Sequence, residues 1–215
     1  MIPTETASLL QQFGVSRESL EKLRIYVDTL ISWQHRINLI GPSTTENVWT
    51  RHIVDAVQLL PLLPPNTRVI ADLGSGAGIP GLVLAIAGNF EANLYESNGK
   101  KVAFLRQATR LTGAKITVHQ VRLEEVAKTS PPAVDVVVAR ALAPLTLLLD
   151  YAEPFLNSGA RALFHKGQDI DIELTAATKY WNMQFSKQPS ATDSRGCILE
   201  VKEAYRVREQ LNPIR

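Results

Sequence analysis

Apolar positions in the first sixty residues recur at helical spacing. Leu9, Leu10 and Phe13 close a short helix at Gly14. Ser16 then caps a second helix, in which Leu20, Leu23, Val27, Leu30 and Ile31 share a face. Asn38 to Pro42 interrupts the pattern. Ser43 and Glu46 carry the spacing of a capping box. Trp49, Ile53, Ala56, Val57 and Leu60 continue as an apolar face until Pro61, Pro64 and Pro65 end the region.

From Arg68 onward short apolar runs alternate with helical periodicity. Strands are predicted over 69–73, 92–96, 116–121, 134–139 and 160–165. Helices are predicted through 82–87, 100–111 (ended by Gly113) and 145–155. Such alternation builds a parallel sheet with right-handed crossovers. The end of the chain differs: Met183–Lys187 and Cys197–Lys202 are strand candidates with no helix between them, which predicts an antiparallel hairpin near the end of the sheet. The expected organisation is a helical extension over residues 1–65, packed on a Rossmann-like α/β domain over 66–215.

Composition narrows the picture slightly. The chain has 215 residues and a formal charge of +2, which permits a polyanionic partner without demanding one. Residues 1–60 hold five Lys/Arg and six Asp/Glu, so the positive excess lies in the later part. A single cysteine, Cys197, excludes a disulfide within the chain and a cysteine zinc site, and no metal is expected. With no signal-peptide pattern and no apolar run long enough to span a bilayer, the expected location is the cytoplasm, with no membrane partner.

The most informative segment runs from Asp72 to Gly81, between a strand and a helix, where open α/β sheets bind ligands. Gly74, Gly76 and Gly78 let the backbone turn sharply and approach a ligand closely. A tight turn without a ligand is the plain alternative. Gly76-Ala-Gly78-Ile79-Pro-Gly81 also fits the dinucleotide pattern that seats a pyrophosphate on a helix N-terminus, as in an NAD-dependent oxidoreductase. Asp72 favours the other reading: a carboxylate suits the ammonium of a methionine moiety and is unhelpful beside a pyrophosphate. S-adenosylmethionine is therefore the expected cofactor. Glu96 can accept hydrogen bonds from both ribose hydroxyls, or simply be a solvated strand end.

Three further places carry candidate chemistry. Leu123 and Glu124 follow the third strand, where a backbone N–H and a carboxylate can read adenine, or merely begin a helix. Arg140 ends an apolar strand and needs a partner: a cofactor carboxylate, a phosphate, or an acid such as Asp72. It is also the one candidate for a catalytic role. Lys100 and Lys101 open a helix and Lys166 follows the fifth strand; each can meet phosphate or remain solvated.

Several motifs in order match a known family. Trp33-Gln-His-Arg-Ile-Asn-Leu39, Arg51-His-Ile-Val-Asp55, the Asp72–Gly81 loop, Lys101-Val-Ala-Phe-Leu105, Arg140-Ala-Leu-Ala143 and Lys166-Gly-Gln168 resemble the RsmG (GidB) family of bacterial methyltransferases, over about residues 30–200. The resemblance implies a class I methyltransferase fold and methyl transfer to N7 of guanosine 527 in the 16S rRNA of the small ribosomal subunit. It also implies that Gly74 and Ile79 lie on the cofactor, that Leu123 and Glu124 meet its adenine end, and that Arg140 completes the site. Ala77 stands where the family often has proline, and Glu96 where it often has aspartate.

Guanine N7 has a lone pair and no proton, so no general base and no catalytic dyad is expected; alignment and desolvation remain. Asn38, Arg51, His52, Lys100 and Lys166 are the candidates for RNA contact. For Arg51, His52 and Asp55 the competing reading is a packing network that fixes the extension to the core. Asn38 equally suits closing the turn before Gly41. A monomer is expected. A non-catalytic RNA-binding module is the reading from another class, and the intact Asp72, Gly74, Gly76, Gly78 and Glu96 weigh against it.

Overall fold

The computed structural model describes residues 2–207. Residues 208–215, the end of the expected Rossmann-like domain, lie outside them. The chain opens with α1 (Thr4–Gln12) and α2 (Arg17–Gln34), the latter capped by Ser16, whose hydroxyl accepts from the Ser19 N–H at 3.1 Å. After a 3₁₀ turn (Pro42–Thr44), a π-helical segment over Trp49–Val54 runs into α3 (Asp55–Val57). The capping box expected at Ser43 does not form. Ser43 lies inside the 3₁₀ turn, and Gly41, with no side chain, occupies the cap position.

Seven strands follow: β1 (Val69–Leu73), β2 (Glu91–Tyr95), β3 (Ile116–His119), β4 (Val136–Arg140), β5 (Arg161–Lys166), β6 (Trp181–Pro189) and β7 (Cys197–Arg206). They lie in the order β3-β2-β1-β4-β5-β7-β6. The first five are parallel, and β7 enters antiparallel between β5 and β6. The mostly parallel sheet with its antiparallel hairpin is thus borne out. Sheet order reverses between β1 and β4, the switch point where such folds bind ligands.

Five helices complete the core: α4 (Gly81–Gly88), α5 (Gly99–Thr112), α6 (Leu123–Val126), α7 (Leu145–Leu156) and α8 (Ile170–Ala177). The predicted boundaries hold to within a few residues, but α8 has no counterpart in the sequence reading. Its buried positions, Ile170, Leu174 and Ala177, are few, and Ile172 is 72% exposed, which blurs the period. One hydrophobic cluster joins α2, α4, α5 and the 48–59 segment to one sheet face; a second joins α6, α7 and the hairpin to the other. β1 and β4 are buried on both faces, as their continuous apolar runs require.

α2 is fixed to α4 and to the glycine loop by polar bonds as well as packing. The Ser19 hydroxyl donates to the Ile86 carbonyl at 2.8 Å. The fully buried Tyr26 hydroxyl donates to the Ala77 carbonyl at 2.7 Å, and burial pushes its phenol pKa up, so it stays a donor.

Candidate active site

The glycine bend sits at the tip of β1. Gly74, Gly76 and Gly78 all have positive φ (67°, 55° and 79°), which side chains rarely tolerate. Two carboxylates organise this bend. Glu96, just past β2, accepts from the Gly76 N–H at 2.9 Å with one oxygen and from the Asn98 N–H at 2.7 Å with the other. Asp72 is fully buried. Its Oδ2 accepts from the Gly81 N–H at 3.1 Å, at the start of α4, while Oδ1 has no partner among the described residues. Burial pushes its pKa up to about 7, against the pull of the Gly81 and Ser75 hydrogen bonds and of Arg140.

The glycines are demanded partly by packing. A Cβ on Gly74 would come within 2.5 Å of Leu142 Cδ1, and one on Gly81 within 2.5 Å of Asp72 Cβ. Leu142 leans on the bend from the segment after β4, where Ala141 also has positive φ (50°). The space a side chain at Gly74 would fill is therefore already taken by the chain itself. Ile79 is likewise buried in the core, so only its backbone faces the bend.

Arg140, the last residue of β4, is the hub of the neighbouring cleft. Its Nη1 donates to Asp55 Oδ2 at 2.7 Å and to the Arg51 carbonyl at 3.1 Å; Nη2 donates to His52 Nδ1 at 2.6 Å. The acid it pairs with is Asp55, not Asp72. Because His52 Nδ1 accepts, Nε2 carries the proton and donates to Thr44 Oγ1 at 2.7 Å, whose own hydrogen goes to the Gly41 carbonyl. Burial, aided by Arg140 and Arg51 and opposed by Asp55, lowers the His52 pKa to about 4, so the ring is neutral.

Asp55 is surrounded. It accepts from Arg140, from Gln58 Nε2 at 2.8 Å and from the Thr192 hydroxyl, and its carbonyl accepts from His165 Nε2 at 2.8 Å. Burial disfavours its charge, but His165, Thr192 and Arg140 outweigh that and hold the carboxyl below its ordinary range. Thr192 and Asp193 lie in the turn between β6 and β7. Arg51 reaches Asp193 at 3.5 Å. Arg51, His52, Asp55, Arg140 and Asp193 wall a cleft, with Lys166, Gly167 and Arg195, that has a volume of about 510 Å³.

The other expected residues fall as follows. Lys166 is nearly buried and turned inward, paired with Glu173 and donating to the Ala143 carbonyl at 3.1 Å, so it is not a free phosphate hook. Asn38 is exposed; the turn before Gly41 is closed by Gln34, which accepts from the Leu39 and Ile40 N–H groups at 2.9 and 3.1 Å. Leu123 is buried against the second cluster, and the Glu124 carboxylate accepts from the Tyr151 hydroxyl at 2.8 Å. Lys100 is exposed on the first turn of α5, and its N–H is capped by Asn98.

The bend suits a nucleoside bearing a charged amino-acid tail. The orphaned Asp72 oxygen at the strand tip can accept from an ammonium, and Glu96 retains lone pairs beside the two N–H groups it already holds. Together, fold and bend define a class I methyltransferase. The fold recurs in a ribosomal protein L11 methylase from Lactobacillus delbrueckii subsp. bulgaricus (TM-score 0.52, 16% identity, covering 71% of this chain and 78% of that one). It also recurs in TrmN from Thermus thermophilus (TM-score 0.51, 18% identity, 72% and 49%).

The sequence narrows the class. The GidB family, described as rRNA small subunit methyltransferase G, matches residues 19–197, and the chain belongs to it. It is similar to proteins named Ribosomal RNA small subunit methyltransferase G from Paramagnetospirillum magneticum (50% identity, 94% of this chain and 97% of that one) and Rhodospirillum rubrum (50%, 89% and 94%). S-adenosylmethionine is the methyl donor of this fold and family.

Proposed function

We propose that this chain methylates N7 of a guanosine in 16S rRNA of the small ribosomal subunit, at the position numbered 527. The carrying observation is the juxtaposition, at one end of the sheet, of the glycine bend with its two carboxylates and a polar cleft centred on Arg140. The names of the relatives support an rRNA substrate.

S-adenosylmethionine, when bound, supplies an electrophilic methyl on a sulfonium. Asp72 would hold its ammonium, Glu96 its ribose, and the backbone at Leu123 with Glu124 its adenine end. Guanine N7 needs no deprotonation, so the chain contributes orientation and exclusion of water. Arg140, whose fork is set by Asp55, His52 and the Arg51 carbonyl, lines the cleft as the positioning cation for the target nucleotide. Arg51 and His52 form its outer wall and its support. The enzyme works in the cytoplasm as a monomer.

The test is incubation of unmodified small subunits with isotopically labelled S-adenosylmethionine and the purified protein, followed by nuclease mapping and mass spectrometry. Label in 7-methylguanosine at position 527 is expected. Label on another base, or on ribosomal protein, would overturn the assignment.

A further inference from the structure

α5 differs from every other α-helix described. It carries Lys100, Lys101, Arg106 and Arg110 and no acidic residue. The whole chain is only +2, so everything outside this helix sums to −2. Lys100, Arg106 and Arg110 are exposed and Lys101 is half-buried, and among the described residues none of the four forms an ion pair. On α2, by contrast, two of the three cations, Lys22 and Arg24, are answered by Glu18, Glu21 and Asp28. In the cleft, Arg140 and Lys166 are answered by Asp55 and Glu173.

Lys100 and Lys101 occupy the first turn, against the positive end of the helix dipole; Arg110 lies in the last turn, which the dipole favours, but faces the like charge of Arg106 at i,i+4. Local choices that oppose the element they belong to point to a function elsewhere. Lys100, Arg106 and Arg110 share the solvent side of α5, with half-buried Lys101 turned toward the packed side, and they span about 15 Å along the axis, enough for several successive phosphates. The stripe begins at the ligand-binding end of the sheet. There Trp33 meets Phe104 edge-on, with ring centroids 5.9 Å apart, and brings the end of α2 alongside, three positions before the exposed Arg36.

We propose that this face of α5, with Arg36, binds the phosphate backbone of the RNA substrate outside the target nucleotide's cleft. The inference rests on the RNA reading above and deepens it. Affinity comes from counterion release along the stripe, and base selection is left to the cleft.

The experiment compares wild type with Arg106→Gln/Arg110→Gln and with Arg106→Lys/Arg110→Lys, both pairs lying away from the cofactor bend. Methyl transfer to unmodified small subunits, salt-dependent binding of protein-free 16S rRNA, binding of S-adenosylhomocysteine and melting temperature are measured. The glutamine pair is expected to raise KM for RNA on the order of tenfold and to lower the salt slope of log K by about 1 per residue. Turnover at saturation and cofactor affinity should stay unchanged, melting temperature should stay equal or rise, and the lysine pair should restore KM. Unchanged KM and slope would overturn the proposal. So would a raised KM on intact subunits with an unaltered slope on protein-free RNA, which would assign the face to a ribosomal protein. Wild type that methylates no RNA would instead sink the substrate reading itself.

Discussion

Arg140 and Asp55, 85 positions apart in the chain, meet through Nη1 and Oδ2 at 2.7 Å and join the tip of a core strand to the N-terminal helical segment. Their side chains are 19% and 13% exposed, so the pair is mostly removed from water and each charge depends on the other. Ending a buried strand on arginine is tolerable only with that partner in place.

Asp55→Asn should therefore cost about 3 kcal/mol of stability, because it strands a mostly buried guanidinium. Arg140→Ala should cost less stability in proportion to its effect on turnover. Thermal melts and single-turnover methylation of the two variants check this; equal losses of both quantities in both variants would make the pair purely structural.

Protonation of His52 should destabilise the fold. Its pKa of about 4 lies below the ordinary 6.5, so its contribution to stability is complete above pH 6.5 and is lost as pH falls toward 4. His165, also lowered by burial, adds to the same slope. One proton gives up to about 1.4 kcal/mol per pH unit. Because Asp72 contributes an opposite slope over much of the same window, the check is the difference between urea melts of wild type and His52→Gln, which should carry the His52 slope.

Asp72 behaves in the opposite sense. Its pKa is raised from 3.8 to about 7, so its contribution to stability is greatest below pH 3.8 and declines as pH rises toward 7. A cationic ligand tail needs the ionised form. Affinity for S-adenosylhomocysteine should rise by up to about tenfold per pH unit below 7 and level off above it. Calorimetry from pH 5.5 to 8.5 reads the profile, and Asp72→Asn should abolish it while weakening binding.

Gly74→Ala should destabilise by about 1–2 kcal/mol for its left-handed backbone alone, with more added by the clash with Leu142. Leu142→Ala in the same chain should recover the clash portion and leave the backbone portion. A double-mutant cycle on melting free energies measures the split; strict additivity would show that Leu142 does not press on the bend.

What could be read from sequence was what local chemistry dictates. The glycine bend, the strand series and the final hairpin follow from turn residues and alternation over a few positions, and the structure has them. The π-helical segment over Trp49–Val54 was illegible because its spacing is not the 3.6 period that an apolar stripe reveals. That Arg140 needs a partner is legible from its place at the end of an apolar strand, but which partner is not: Asp55 is brought in only by packing of the extension. The turn holding Thr192 and Asp193 looked like a connector, since its polar residues acquire a purpose only beside Asp55 and Arg51. Lys166 showed its charge in the sequence but not Glu173, which turns it inward.

The hydrogen bond between Thr192 and Asp55 spans 137 positions. The polar hollow beside Arg140 is thus assembled from opposite parts of the sequence, and it is complete only once the β6–β7 ribbon has docked beside β5. Pairings of such separation must close a long loop before they are rewarded, which makes this corner of the molecule a slow one to fold.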